Sequence, residues 1–108
     1  MPRSPQPTIS AAELRELIEQ ATVDCYNESE QVTGLFTMLE EHLGIPFPTT
    51  VLGVPVTVTG VDVTTNDQII AICHRDRHQQ TIPILDLPLP NPTPRGWEWV
   101  EAYRRWLG

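Results

Sequence analysis

The residues with the clearest chemical potential lie in one short run, residues 24–30, which reads Asp-Cys-Tyr-Asn-Glu-Ser-Glu. The run carries three carboxylates, one side-chain amide and one serine hydroxyl. Calcium binds about six to eight hard oxygen ligands in a tolerant geometry, and backbone carbonyls of irregular turns often supply some of them. The run therefore indicates a calcium site, with four candidate ligands: Asp24, Asn27, Glu28 and Glu30.

The same residues also have a purely structural interpretation. Asn27 can serve as the N-cap of a helix, with Glu30 as its partner three residues later. Glu28 would then be a favourable negative charge at the positive end of that helix. The run does not match the calcium-binding loop of EF-hands. Spacing alone leaves both the metal site and the helix cap open.

Other candidate groups are more scattered. His74 and His78 are four positions apart and close to Cys73, but a zinc or copper site would need a hairpin to bring both rings together. An Asp in or beside a strand can either bond turn amides or add to a cation site. Two residues have this position, Asp62 and Asp86.

Signatures of catalysis are missing from the chain. It has no Gly-x-Ser-x-Gly elbow, no phosphate loop, no dinucleotide fingerprint and no His-Glu-x-x-His motif. We therefore expect a protein that is not an enzyme. One catalytic alternative stays open, a small metal-dependent hydrolase, which would need a pocket joining the acidic run to His74 or His78.

The net charge of the chain favours some classes of binding partner over others. Fourteen acidic residues against seven basic ones, all arginine, give a formal charge of −7. Such a balance repels phosphate backbones and favours cations or a basic protein partner, so we expect no nucleic-acid binding. No apolar run approaches membrane-spanning length, and the first residues lack the apolar stretch of a signal peptide. We expect a soluble cytoplasmic protein with no membrane association.

The first half of the chain is predicted to be helical. Residues 1–9 contain three prolines and read as a flexible arm, followed by a single domain over residues 10–108. Ser10 with Glu13 marks a helix start, and Gly44 with Pro46 marks the end of a second helix. Each helix has an apolar stripe at helical spacing. The two stripes are Leu14, Leu17, Ile18, Ala21 and Cys25, and then Val32, Leu35, Phe36, Leu39 and Leu43.

The second half changes to the period of two that is typical of strands. From residue 49 apolar residues alternate, and Gly60 shifts their phase, as a bulge does when a strand curves around a small barrel. A turn at 65–68, a strand at 69–73, a charged hairpin tip at 74–78 and a strand at 81–85 with Pro83 on an edge should follow. Residues 88–96, a proline-rich segment, should be extended, and 97–107 should be a helix docked as a lid on the sheet. One side of this helix should be buried, and it carries Trp99, Val100, Tyr103, Trp106 and Leu107. The predicted fold is α+β, with an N-terminal helical hairpin, a small curved antiparallel sheet or barrel, and a short C-terminal helix.

The run from Val23 to Gln31 resembles the CcbP-like family of small bacterial calcium-binding proteins. The likeness continues through segments 46–47, 51–53, 82–90 and 99–106. The resemblance implies calcium binding outside any EF-hand, on an α+β fold with a small barrel-like sheet. It also implies a buffering or signalling role rather than catalysis. Carried onto matching positions, it gives Asp24, Glu28 and Glu30 as ligands, while Ser29 departs from relatives that tend to carry a further carboxylate in this run.

The sequence therefore predicts a non-EF-hand calcium-binding protein. The main rival is an interaction module whose acidic helical face or proline-rich segment docks a partner.

Overall fold

The computed structural model of the chain describes residues 9–108. The predicted arm, residues 1–9, lies outside this range except for Ile9, which is half-buried. The α+β prediction is confirmed, because residues 9–108 form three helices, one short 3-10 turn and four strands. Their bounds are α1 Ala11–Thr22, α2 Glu28–His42, β1 Phe47–Val51, β2 Val54–Val63, β3 Ile69–Arg75, β4 His78–Pro83, the 3-10 turn Ile84–Asp86 and α3 Glu98–Leu107.

Helix α1 begins where the sequence places it. The hydroxyl oxygen of Ser10 accepts a hydrogen bond from the Glu13 amide at 3.1 Å, which satisfies one of the free N–H groups of the first turn. The helix ends at Thr22, so Cys25 lies beyond the stripe that was expected to include it. The rest of that stripe is only partly covered, because Ala21 is its one buried member.

Helix α2 supplies the centre of the core. Its buried side chains Val32, Leu35 and Leu39, with Leu43 just beyond the helix, follow the predicted stripe. The helix stops at His42, and the amide of Gly44 donates to the carbonyl oxygen of Arg95 at 2.7 Å. This bond joins the end of α2 to the segment that leads into α3.

The four strands form an open antiparallel sheet in the order β1-β2-β3-β4. The bulge prediction is confirmed, because the register between β2 and β3 shifts between Val58 and Gly60. The barrel alternative was wrong. A barrel requires its first and last strands to pair, whereas β1 and β4 each have one neighbour.

The boundaries of β4 differ from the prediction. The strand covers His78–Pro83 instead of residues 81–85, and residues 84–86 form the 3-10 turn. The hairpin tip is shorter than expected, because Asp76 adopts a left-handed φ of 54° and closes a tight turn with Arg77. Pro83 does lie on an edge strand, as predicted.

Helix α3 packs chiefly against α1 and α2, so its predicted place as a lid on the sheet was wrong. It also meets the sheet, since the Tyr103 hydroxyl accepts a hydrogen bond from the Ile69 amide at 3.4 Å, and Trp97 at the start of the helix packs edge-on against Phe47 of β1. Trp99 and Val100 are buried as expected, but Trp106 is half-buried. Leu107, which was expected on the buried side, is 53% exposed. The helices thus form a layer in which α2 contacts the sheet through β2.

Candidate metal site at the helix junction

The helix junction, residues 24–30, is positioned by close packing of α1 against α2. A Cβ atom built on Gly34 would overlap the carbonyl oxygen of Ala21, so the two helix backbones meet at this point. On the same side the Cys25 sulfur lies 3.4 Å from the carbonyl oxygen of Glu30. Only glycine at position 34 permits this approach.

Two of the four predicted ligands form the helix cap that the sequence also allows. The side-chain oxygen of Asn27 accepts a hydrogen bond from the Glu30 amide at 2.9 Å. One carboxylate oxygen of Glu30 accepts from the Tyr26 amide at 3.2 Å. A carboxylate has about four lone-pair positions, so this bond leaves Glu30 with acceptor capacity. A cation would share these two side chains with the cap.

The other two predicted ligands, Asp24 and Glu28, take no part in these cap hydrogen bonds. Asp24 and Glu28 are exposed, and Asp24 adopts a left-handed φ of 63° where the chain turns from α1 into α2. Within residues 9–108 an ion pair joins Glu101 to Arg104, and the His42 ring lies 3.9 Å from the Glu41 carboxylate, but neither contact involves the junction. The junction carboxylates therefore have no basic partner in this part of the chain.

The structure adds one residue that sequence reasoning left unassigned. The Ser29 hydroxyl donates a hydrogen bond to Asp67 Oδ1 at 3.1 Å, which brings the β2–β3 turn against the first turn of α2. The turn itself is closed by its own bonds, since the Gln68 amide donates to the Thr64 hydroxyl at 3.1 Å. The sequence predicts a turn at residues 65–68. It does not predict the contact of this turn with α2, because Ser29 and Asp67 are 38 positions apart.

The carboxylates of the helix junction and the β2–β3 turn do not form a preformed metal site within residues 9–108. Among residues 9–108 no three His, Cys, Asp or Glu side chains are grouped so that they could hold a metal ion. A cation at the junction would have to draw the exposed side chains together. Such an arrangement fits calcium better than magnesium, because magnesium demands near-ideal octahedral geometry.

The alternative zinc or copper site is disfavoured by the hairpin that carries it. Arg75 pairs with His78, and His74 pairs with Gln79, so the two histidines lie on opposite faces of the sheet. Burial raises the pKa of the Cys73 thiol above its usual value, which disfavours the thiolate that a metal would bind.

The two other candidate aspartates, Asp62 and Asp86, do not belong to the helix junction. Asp62 accepts a hydrogen bond from the Val63 amide at 2.8 Å, which is the local role that the sequence allowed. Asp86 is exposed on the 3-10 turn.

Comparison with known proteins gives no relative to transfer a function from. No family model, no curated protein and no solved structure matches the chain. In the part of the chain that the structure describes, no helix combines the length and apolar character needed to cross a membrane.

Proposed function

We propose that this chain is a calcium-binding protein of a non-EF-hand type that buffers or reports calcium in the cytoplasm, with the ion held at the helix junction. The observation that carries the proposal is the contact between Ser29 and Asp67. It adds a carboxylate from the β2–β3 turn to the acidic start of α2, in a place where no basic side chain within residues 9–108 forms an ion pair.

Electrostatics favours a cation at this place. Asp24, Glu28 and Asp67 are exposed carboxylates that repel one another when they approach. The amide end of α2 partly offsets this repulsion, since a helix N-terminus stabilises negative charge. A divalent cation removes the repulsion more completely and gives each carboxylate an ionic contact. The carbonyl end of α1, which reaches the same junction, also favours a cation.

The proposed ligands divide into two groups. Asp24, Glu28 and Asp67 would provide the mobile carboxylates, and the cap side chains Asn27 and Glu30 would contribute their remaining acceptor capacity. Because these side chains must be ordered when the ion binds, part of the binding free energy is lost as conformational entropy. We therefore expect an affinity at the weak end of the range of intracellular calcium sensors, with a Kd of about 10⁻⁵ M.

Calorimetric calcium titration of two matched variants tests this proposal. Asp67→Asn removes the carboxylate charge and keeps a residue that tolerates the left-handed φ of 60°. Asp76→Asn makes the same change at another left-handed Asp, at the β3–β4 hairpin tip. We expect Asp67→Asn to weaken calcium binding about fivefold or more, equivalent to roughly 1 kcal/mol, and Asp76→Asn to leave it nearly unchanged.

Two results would count against the proposal. One is wild-type protein that gives no heat of binding with millimolar calcium. The other is an equal loss of affinity in both variants, because that result would reflect net charge and not a site at the junction.

A further inference from the structure

A groove separate from the helix junction runs between α1 and the segment that leads into α3. It has a volume of about 900 Å³, towards the upper end of the roughly 300–1,000 Å³ that is usual for ligand clefts. It shares no lining residue with residues 24–30. The α1–α3 groove, as we call it, is therefore a distinct surface.

The walls of the α1–α3 groove are apolar where α1 faces the proline-rich segment. Leu14 and Leu17 come from α1, and Leu89 and Trp97 come from the other side. All three leucines are only half-buried. This groove explains why the apolar stripe of α1 is incompletely covered.

The groove also carries an excess of negative charge. Its lining includes four glutamates, Glu13, Glu16, Glu98 and Glu101, but a single basic residue, Arg95. Glu101 is engaged by Arg104 at 3.5 Å. Within residues 9–108 neither Glu16 nor Glu98 forms an ion pair. Apolar walls with free carboxylates complement a ligand that is both apolar and cationic.

One buried polar atom of the groove lining has no hydrogen-bond partner within residues 9–108. Trp97 is 4% exposed, and its Nε1–H is a buried side-chain donor with no acceptor among the described residues. Buried indole N–H groups usually find an acceptor. An occupant with carbonyl oxygens could supply one after a small movement of the indole, so Trp97 Nε1–H is a suitable reporter of binding.

We propose that the α1–α3 groove binds a short segment of a partner protein in which apolar side chains are flanked by arginine or lysine. The apolar side chains would contact the leucine walls, and the basic side chains would meet Glu16 and Glu98. A peptide backbone is the occupant that brings carbonyl oxygens together with both kinds of side chain. This site is independent of the proposed calcium site, because it uses other residues and needs no metal.

NMR titration of the full chain in chelator tests this proposal. The probe is a blocked octapeptide of alternating leucine and arginine, and the controls are octapeptides of alternating leucine and glutamate and of alternating serine and arginine. We expect the leucine–arginine peptide to shift the Trp97 indole signal and to bind at least tenfold more tightly than either control. Trp106 provides an internal comparison, because its Nε1 already donates to Gln31 Oε1 at 2.9 Å.

Matched double variants distinguish peptide binding in the groove from general electrostatic attraction to an acidic protein. Glu16→Gln with Glu98→Gln removes two carboxylates from the groove, whereas Glu19→Gln with Glu40→Gln removes two exposed carboxylates outside it. We expect the first pair to weaken the leucine–arginine peptide by about fivefold or more and the second pair by less than twofold. Equal weakening by both pairs, or equal binding of the serine–arginine peptide, would overturn the proposal.

Other occupants give distinguishable results. Binding that appears only in a chain beginning at Ile9 would identify residues 1–8 of the same chain as the occupant and overturn the proposal. A Trp97 indole shift that depends on protein concentration without peptide would identify a second copy, with the same consequence. The absence of any groove shift with the leucine–arginine peptide would also overturn it, whatever calcium does at the junction.

Discussion

Three aspartates of this chain adopt a left-handed backbone conformation in addition to contributing negative charge. Asp24, Asp67 and Asp76 all have positive φ values of 54° to 63°. Asp is among the residues that tolerate this left-handed region, because its short side chain can bond locally. An acidic residue in a turn is therefore ambiguous evidence for a metal site. What distinguishes Asp67 from Asp76 is its contact with Ser29.

Among the described non-glycine residues with positive φ, Leu52 is the one that is not an aspartate. It has a φ of 51° at the tip of the β1–β2 hairpin and is 98% exposed. With Gly53 also at positive φ, the turn has the form that favours Asn-Gly. We predict that Leu52→Asn raises the free energy of unfolding by about 0.5–1 kcal/mol, because the strain on a branched side chain in this region is removed. Urea denaturation measures the change, and a lower stability would show that the exposed leucine makes a contact worth more than the strain.

At the scale of elements, the helix junction depends on the close contact of α1 and α2. Gly34 provides this contact in the middle of α2, where glycine would otherwise weaken the helix. The contact is tertiary, and the helical pattern of α2 does not reveal it.

We predict that Gly34→Ala lowers the free energy of unfolding by about 1–3 kcal/mol, because the added methyl group must push Ala21 away. The same variant should weaken calcium binding, since it moves the junction. Gly44→Ala is the control, because a Cβ there would meet its nearest atoms at an ordinary 3.5 Å. Denaturation curves in chelator that coincide for wild type and Gly34→Ala would contradict the packing described here.

A second link joins α3 to the first turns of α2. The Trp106 indole donates to Gln31 at 2.9 Å and stacks on Tyr103 with ring centroids 6.4 Å apart. We predict that Trp106→Phe and Gln31→Met are coupled by about 0.5–1.5 kcal/mol in a double-mutant cycle, the usual net value of one hydrogen bond. Additive losses of stability would show that the bond contributes nothing to the docking of α3.

At the scale of the whole molecule, local patterns predicted the elements better than their arrangement. Helical spacing around Leu35 and the phase shift at Gly60 were sufficient for α2 and the bulge. A bulge indicates curvature but not the number of strands or their closure, so the sequence was compatible with both an open sheet and a barrel. The position of Asp67 beside Ser29 depends on how α2 lies on the sheet, which no local pattern contains. The cap formed by Asn27 was predictable because it is local.

The whole-molecule consequence of the proposed site is calcium-dependent stability. An ion that binds only the folded state stabilises it in proportion to its occupancy. With a Kd near 10⁻⁵ M, about 1 mM calcium should add roughly 2.7 kcal/mol to the free energy of unfolding and raise the thermal midpoint by about 10 °C. The same concentration of magnesium should have a smaller effect.

The most direct test of the central claim is this rise in thermal midpoint, measured for wild type and for Glu28→Gln in calcium and in chelator. Glu28→Gln keeps the shape of the side chain and its helix propensity while it removes the charge. If Glu28 only favours the helix N-terminus, its loss should cost about 1 kcal/mol or less, equally in both solutions. The account predicts instead that the calcium-dependent rise shrinks or disappears in the variant. A wild-type midpoint that is the same in millimolar calcium and in chelator would contradict the account.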